Sequence, residues 1–114
     1  MKSARSLPKL NKPNITVPVR LQLRSIRGDS MLPTLRQGQL VLFASGRAAK
    51  VGDIVMVRHN GVEKIKRVAR LEGGRVYLLG DNPDASTDSR HFGWLGIEVI
   101  RGVLLWPRIR RTVL

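Results

Sequence analysis

The stretch VEKIKRVARLEGGRVYLLGDN, residues 62–82, reads as two strands joined at a glycine pair. Its first arm alternates, with Val62, Lys64, Lys66 and Val68 on one face and Glu63, Ile65, Arg67 and Ala69 on the other. A period of two is the signature of a strand. Gly73-Gly74 then supplies two residues free to take positive φ, as tight hairpin turns require. The same stretch sets a chemical question, because a lysine on a partly apolar strand face is either a solvated edge residue or a desolvated amine.

The neighbouring segments repeat the pattern. VGDIVMVRHNG (51–61) reads as a strand closed by an Asn60-Gly61 turn, and GQLVLFAS (38–45) as another. In TVPVRLQLRSIRG (16–28), Val17, Val19, Leu21 and Leu23 alternate with mostly polar positions; Pro18 cannot donate to a ladder, which places this strand at an edge. IEVIRGVLLWPRI (97–109) suggests one more strand pair, stopped by Pro107. SMLPTLRQG (30–38) is short and proline-broken, with room for one turn after Ser30. No dozen residues show helical spacing. The expected fold is therefore mainly β: a small barrel-like domain with few short helical turns. Residues 1–15, with four basic residues and no acidic one, read as a flexible basic arm, and residues 16–114 as a single β domain.

Composition narrows the function classes. The 114 residues are 42% hydrophobic and 25% charged, which suits one soluble globular domain. There is no cysteine, so disulfides and thiolate metal sites are excluded, and two histidines alone make a poor zinc set. No metal or other cofactor is expected. No apolar run approaches the roughly 18–20 residues that cross a bilayer, and no apolar stretch follows the basic N-terminus as a signal peptide would need. The expected location is cytoplasmic or peripheral at a membrane. With 21 Lys and Arg against 8 Asp and Glu, the net charge is +13, which suits a polyanionic partner. Aromatics are only 4%, and no stacking platform or zinc-finger spacing is seen, so nucleic acid is the weaker choice and anionic membrane contact the better one.

Chemistry centres on GDSMLPTL (28–35). Ser30 is either a turn hydroxyl or a nucleophile, and the segment alone admits both. A nucleophile elbow would need Gly at 32, which is Leu, and a Ser-x-x-Lys pair would need Lys at 33, which is Pro. His59 and His91 lie in no distinctive context for a Ser-His-Asp triad and read as surface residues. DNPDASTDS (81–89) lacks the glycine and glutamate of a calcium loop and reads as a polar turn. What remains is a serine with a strand lysine. Burial would let a lysine lose its proton near neutrality and act as a base. Lys66, beside Val68, is better placed for this than Lys64, which is nearer the turn.

Four segments in order, GDSMLPTL, GDIVMV, IKRV and GDNPDASTDSRHFG, resemble the type I signal peptidases, a family of serine-lysine endopeptidases. The first also resembles the self-cleaving repressor peptidases. The resemblance covers residues 26–103 and implies a signal-peptidase or repressor-peptidase-like β fold. It implies that Ser30 is the nucleophile, with its backbone N–H an oxyanion donor, and that Lys66 is the general base. Ser86 matches the hydroxyl that orients the lysine, and Asp88 and Arg90 a charged pair that braces the site. Gly28 stands where some members carry a second oxyanion donor. Typical members have an N-terminal anchor and often a second β domain after the lysine strand. Here only the 13 residues 67–79 separate Lys66 from Gly80. The closest likeness is thus to the small, anchorless nickel-type superoxide dismutase maturation proteases, which trim an N-terminal extension. The implied partner is a precursor protein or peptide bound as an extended strand. The alternative is a basic β module that binds nucleic acid or an anionic membrane surface without catalysis.

Overall fold

Two glycine-containing turns set the register of the sheet. At Asn60-Gly61 the φ angles are 53° and 76°, and at Gly73-Gly74 they are 53° and 77°. Paired positive φ is the geometry that matches strand twist in a two-residue hairpin. The computed structural model describes residues 19–112. The predicted arm 1–15 and the start of the predicted first strand lie outside that range.

The strands are β1 (Leu21–Ser25), β2 (Leu40–Ala44), β3 (Ile54–His59), β4 (Val62–Glu72), β5 (Arg75–Leu79), β6 (Leu95–Gly96) and β7 (Ile100–Trp106). Short helical turns cover Pro83–Ala85, Ser89–Phe92 (α1) and Ile97–Val99. All strands join one antiparallel sheet in the order β1-β2-β7-β3-β4-β5-β6. This is the mainly β domain with few helical turns that the sequence predicts.

One expectation fails. Residues 97–109 form a single strand after a 3-10 turn, rather than a strand pair. Gly102, where such a pair could have turned, instead continues β7, beside a break in its register with β3, and packs under Phe43. A Cβ at position 102 would lie 3.1 Å from the Phe43 Cβ. The seven-residue strand instead finds partners on both sides, β2 and β3.

That central position explains why β3 is buried on both faces. Ile54 and Met56 join Val41, Phe43, Met31 and Leu35 in one cluster, whereas Val55 and Val57 join Val68, Val76, Leu78 and Val103 in the other. Each such side chain contributes about 1.5–3 kcal/mol by leaving water. Met31 and Leu35, from the turn after Ser30, thereby fasten the 28–35 loop to the first cluster.

The largest fully buried side chain is a cation. Arg67 lies opposite Ile54 in the β3–β4 register and is 2% exposed. Its guanidinium donates to both carboxylate oxygens of Asp81, at 3.2 and 2.6 Å, and to the carbonyls of Gly52 (3.0 Å) and Arg110 (3.2 Å). Asp81 also accepts the Thr34 hydroxyl at 2.5 Å. Burial of an ion pair is costly, but removing one partner alone is costlier because the other charge is stranded. Asp81→Ala is expected to destabilise the domain by about 3–5 kcal/mol, measured as a lower urea midpoint at unchanged m-value.

Candidate active site

Lys66 and Arg67 are adjacent on β4 and point to opposite faces. Lys66 pairs across the sheet with Val55, and its neighbours on that face include Val68, which is fully buried. Lys66 is itself only 4% exposed. Burial is the main influence on its ammonium and pushes its pKa down; the Asp88 carboxylate opposes this, and the charges of Lys64 and Arg90 add to it. Lys64, nearer the β3–β4 turn, is half-buried, with Nζ 3.1 Å from His59 Nδ1 and 4.9 Å from the centre of the Phe92 ring.

A chain of hydrogen bonds holds the Lys66 amine. Its Nζ donates to Ser86 Oγ at 2.9 Å, and the Ser86 hydroxyl donates to Asp88 Oδ2 at 2.8 Å. The Asp88 side chain is fully buried yet accepts the Gly80 N–H (2.8 Å) and the Arg90 backbone N–H, Nε and Nη2 (3.2, 3.0 and 2.5 Å). Burial alone would raise its pKa. The bonds from Arg90, Gly80 and Ser86 more than offset that and hold the carboxyl well below the usual range. Asp88 is also the N-cap of α1 in a capping box, with His91 Nδ1 accepting the Asp88 N–H at 3.3 Å. The capping residue of a one-turn helix thus fixes the hydroxyl that fixes the lysine.

Ser30 is half-buried at the start of the turn that Met31 and Leu35 anchor. Its carbonyl accepts the Asn82 N–H at 2.9 Å, and Asn82 Nδ2 donates to the Asp29 carbonyl at 3.0 Å. Gly80 is where the pieces converge. A Cβ there would collide with the Ser86 side chain and lie 2.7 Å from the Ser30 carbonyl oxygen. Only glycine lets the Ser30 loop and Ser86 approach the same point of backbone.

Ser30 and Lys66 both line one groove of about 720 Å³. Its walls are the end of β1 (Leu23, Ser25) and the start of β4 (Val62, Lys64). Arg24 of β1 and Glu63 of β4 bridge these walls, with Nε–Oε2 2.7 Å and Nη2–Oε1 3.2 Å. Gly28 sits at φ 72° with open space around its Cβ position, so a side chain there would have room but a strained backbone.

The structure therefore gathers Lys66, Ser86, Asp88 and Arg90 into one bonded chain and brings Ser30 to the same groove. Residues the sequence reading left without a role, Thr34, Arg67, Gly80, Asp81 and Asn82, tie the serine loop to the lysine strand. Each lies in a segment already singled out, Thr34 in GDSMLPTL, Arg67 in IKRV and Gly80, Asp81 and Asn82 in the GDN run, but with no role of its own there. His59 is half-buried against Phe92, with ring centroids 4.7 Å apart, and His91 is a capping residue. Among the described residues no group of His, Asp and Glu could hold a metal ion.

Residues 9–100, which span this whole constellation, match the family described as Peptidase S24-like. The chain belongs to that family. It is similar to mitochondrial ATP-independent inner membrane protease subunit 1a of Arabidopsis thaliana, at 36% identity over 72% of this chain and 68% of that protein. The mouse (Mus musculus) mitochondrial inner membrane protease subunit 1 is 32% identical over 70% of this chain and 66% of its own length. The chain thus spans about two thirds of the length of these relatives. Among the described residues no helix of this S24-like domain is long and apolar enough to cross a membrane.

The Asp88 carboxyl has an observable signature. A carboxyl held below its unfolded value contributes stability that is present in full above the unfolded pKa, about 4, and is lost as pH falls towards the folded value. Asp88→Asn is expected to flatten the acid limb of a plot of melting temperature against pH below about pH 4, whereas the wild type keeps a steep one.

Proposed function

We propose that this S24-like domain is a serine endopeptidase that removes an N-terminal extension from a precursor protein through a Ser30–Lys66 dyad. The observation that carries the reading is the buried Lys66 amine, its pKa lowered chiefly by burial, bonded to Ser86 in the groove that Ser30 lines. A serine hydroxyl needs a base before it can attack. Ser86 donates its proton to Asp88 and so accepts one N–H from Lys66. The neutral amine keeps its lone pair for the Ser30 proton.

In this mechanism Ser30 Oγ attacks the scissile carbonyl as Lys66 takes its proton. The negative oxygen is met by backbone N–H groups around Ser30; Gly28 offers no side-chain donor. Collapse breaks the C–N bond as Lys66 returns the proton to the leaving amine. Lys66 then activates water to free the acyl group from Ser30.

The substrate would bind as an added strand. Arg20 and Ile26 bond to the β2 side, through Ser45 N–H to Arg20 O and Ile26 N–H to Gln39 O. By alternation Leu21, Leu23 and Ser25 turn their N–H and C=O groups to the open edge, where Leu23 and Ser25 wall the groove. Arg24 Nη1 already donates to the Leu23 carbonyl at 3.0 Å. A substrate strand competes with it for that carbonyl. The relatives are by name inner membrane proteases, which suits a precursor processed at a membrane surface. The short connection of 13 residues between Lys66 and Gly80, which leaves no room for an inserted domain there, suits a dedicated precursor such as that of nickel superoxide dismutase.

Incubation with candidate precursors, including that of nickel superoxide dismutase, followed by sequencing of new N-termini, tests the reading. Ser30→Ala is expected to abolish cleavage, and Lys66→Ala to lower it by about 10²–10⁴-fold, with circular dichroism unchanged in both. Wild-type cleavage is expected to fall as pH drops through the lowered Lys66 pKa, because only the free amine serves as base. Full activity in either variant, or no cut in any precursor, overturns the dyad. Arg24→Ala frees the Leu23 carbonyl and is expected to lower KM with kcat unchanged.

A further inference from the structure

A second concave site shares no residue with the Ser30–Lys66 groove. It is a cleft of about 670 Å³ between the loop after β2 and the segment after β7, floored by Val103–Leu105. Arg47, Lys50, Arg108 and Arg111 line it, against a single carboxylate, Asp53. That carboxylate is already committed. Its Oδ1 binds Arg111 Nε at 2.6 Å, and its Oδ2 accepts the Lys50 backbone N–H at 2.9 Å. Among the described residues no carboxylate pairs with the side chains of Arg47, Lys50 or Arg108. Three positive charges are left facing one cavity.

The wall that carries Arg108 and Arg111 is held in place although it has no regular secondary structure. Ile109 packs against the first core cluster, the Arg110 carbonyl accepts from buried Arg67 at 3.2 Å, and the Thr112 N–H reaches the Gly52 carbonyl at 3.4 Å. Gly52 is what permits this approach, since a Cβ there would lie 2.8 Å from the Arg111 Cβ. The cations are therefore presented by the fold and not merely scattered over a basic surface.

We infer that this cleft binds a phosphate group. One carboxylate would neutralise a single cation. A phosphate monoester carries about −1.5 to −2 charges on several acceptor oxygens, and arginine forks match that geometry. A concave, low-dielectric floor also focuses the field of the three cations more strongly than the convex surface does. The phosphate comes either from a free anion or from a phospholipid headgroup. Leu105, at the cleft, is 37% exposed, and Trp106 beside it is 56% exposed, so an acyl chain would find apolar surface next to the headgroup. This site stands independently of the peptidase mechanism.

The test uses the full chain at constant ionic strength in chloride buffer. It is titrated with inorganic phosphate, and separately with phosphatidylcholine vesicles with and without phosphatidic acid. The double variant Arg47→Gln/Arg108→Gln is compared with Arg58→Gln/Arg101→Gln, which removes the same charge from exposed strand positions outside both sites. Wild type and the strand variant are expected to bind. The cleft variant should bind at least about tenfold more weakly, with an unchanged urea midpoint. Lys50→Gln alone should weaken binding in the same direction. Binding of free phosphate assigns a soluble anion; binding only of the phosphatidic acid vesicles assigns the headgroup. Equal weakening by both double variants would reduce the effect to net charge and overturn the site, as would a wild type that binds neither probe.

Discussion

Asp81 holds together what the rest of the molecule needs held. Its carboxylate joins Arg67 of β4 to Thr34 of the serine loop, and Arg67 in turn reaches the 50s loop and the segment after β7. Charge explains the division of labour on β4. Two consecutive cations leave the strand on opposite faces, and the fold treats them differently. Arg67 is given a full carboxylate and two carbonyls, so its charge is matched. Lys66 is given one neutral hydroxyl, with the nearest carboxylate one bond further away at Asp88 and itself claimed by Arg90. The first cation fixes the frame. The second is left with a charge that burial disfavours, which is the condition a basic amine requires.

Much of the frame could be read from local sequence because its signals are local. Alternation over 62–71 and the turn residues Asn60-Gly61 and Gly73-Gly74 specify two hairpins, and the structure contains both. The burial of Lys66 over Lys64 followed from its position relative to Val68 and the turn. Non-local pairing left no such mark. Nothing in residues 97–109 says that one strand will lie between β2 and β3, or that Gly102 packs beneath a phenylalanine nearly sixty positions earlier. At the site, Ser86, Asp88 and Arg90 were legible only through a resemblance of spaced segments. Thr34, Gly80 and Asp81 were not, because their contribution is closeness in space. Gly80 acts by having no side chain, which a single sequence cannot reveal.

The strong positive charge also separates into parts with different physics. Arg67 is buried and neutralised, and Arg90 serves Asp88. Arg24 is half-exposed, and its pair with Glu63 contributes little stability. Its position across the groove and on the Leu23 carbonyl matters more than its energy. Arg47, Lys50 and Arg108 are the ones the fold concentrates at one cleft with no carboxylate partner among the described residues. Net charge alone would have treated all of these as equivalent.

The place of β7 has a consequence for the order of events during synthesis. Among the described residues, strand pairing between the β1–β2 pair and the β3–β6 block runs only through Ile100–Trp106. Ser30 and Lys66 are therefore translated well before the strand that stitches their two halves into one sheet. A ribosome-bound chain that carries both residues but not yet residues 100–106 has no completed sheet. The relative placement of the two residues therefore waits on the last of the described strands to be made.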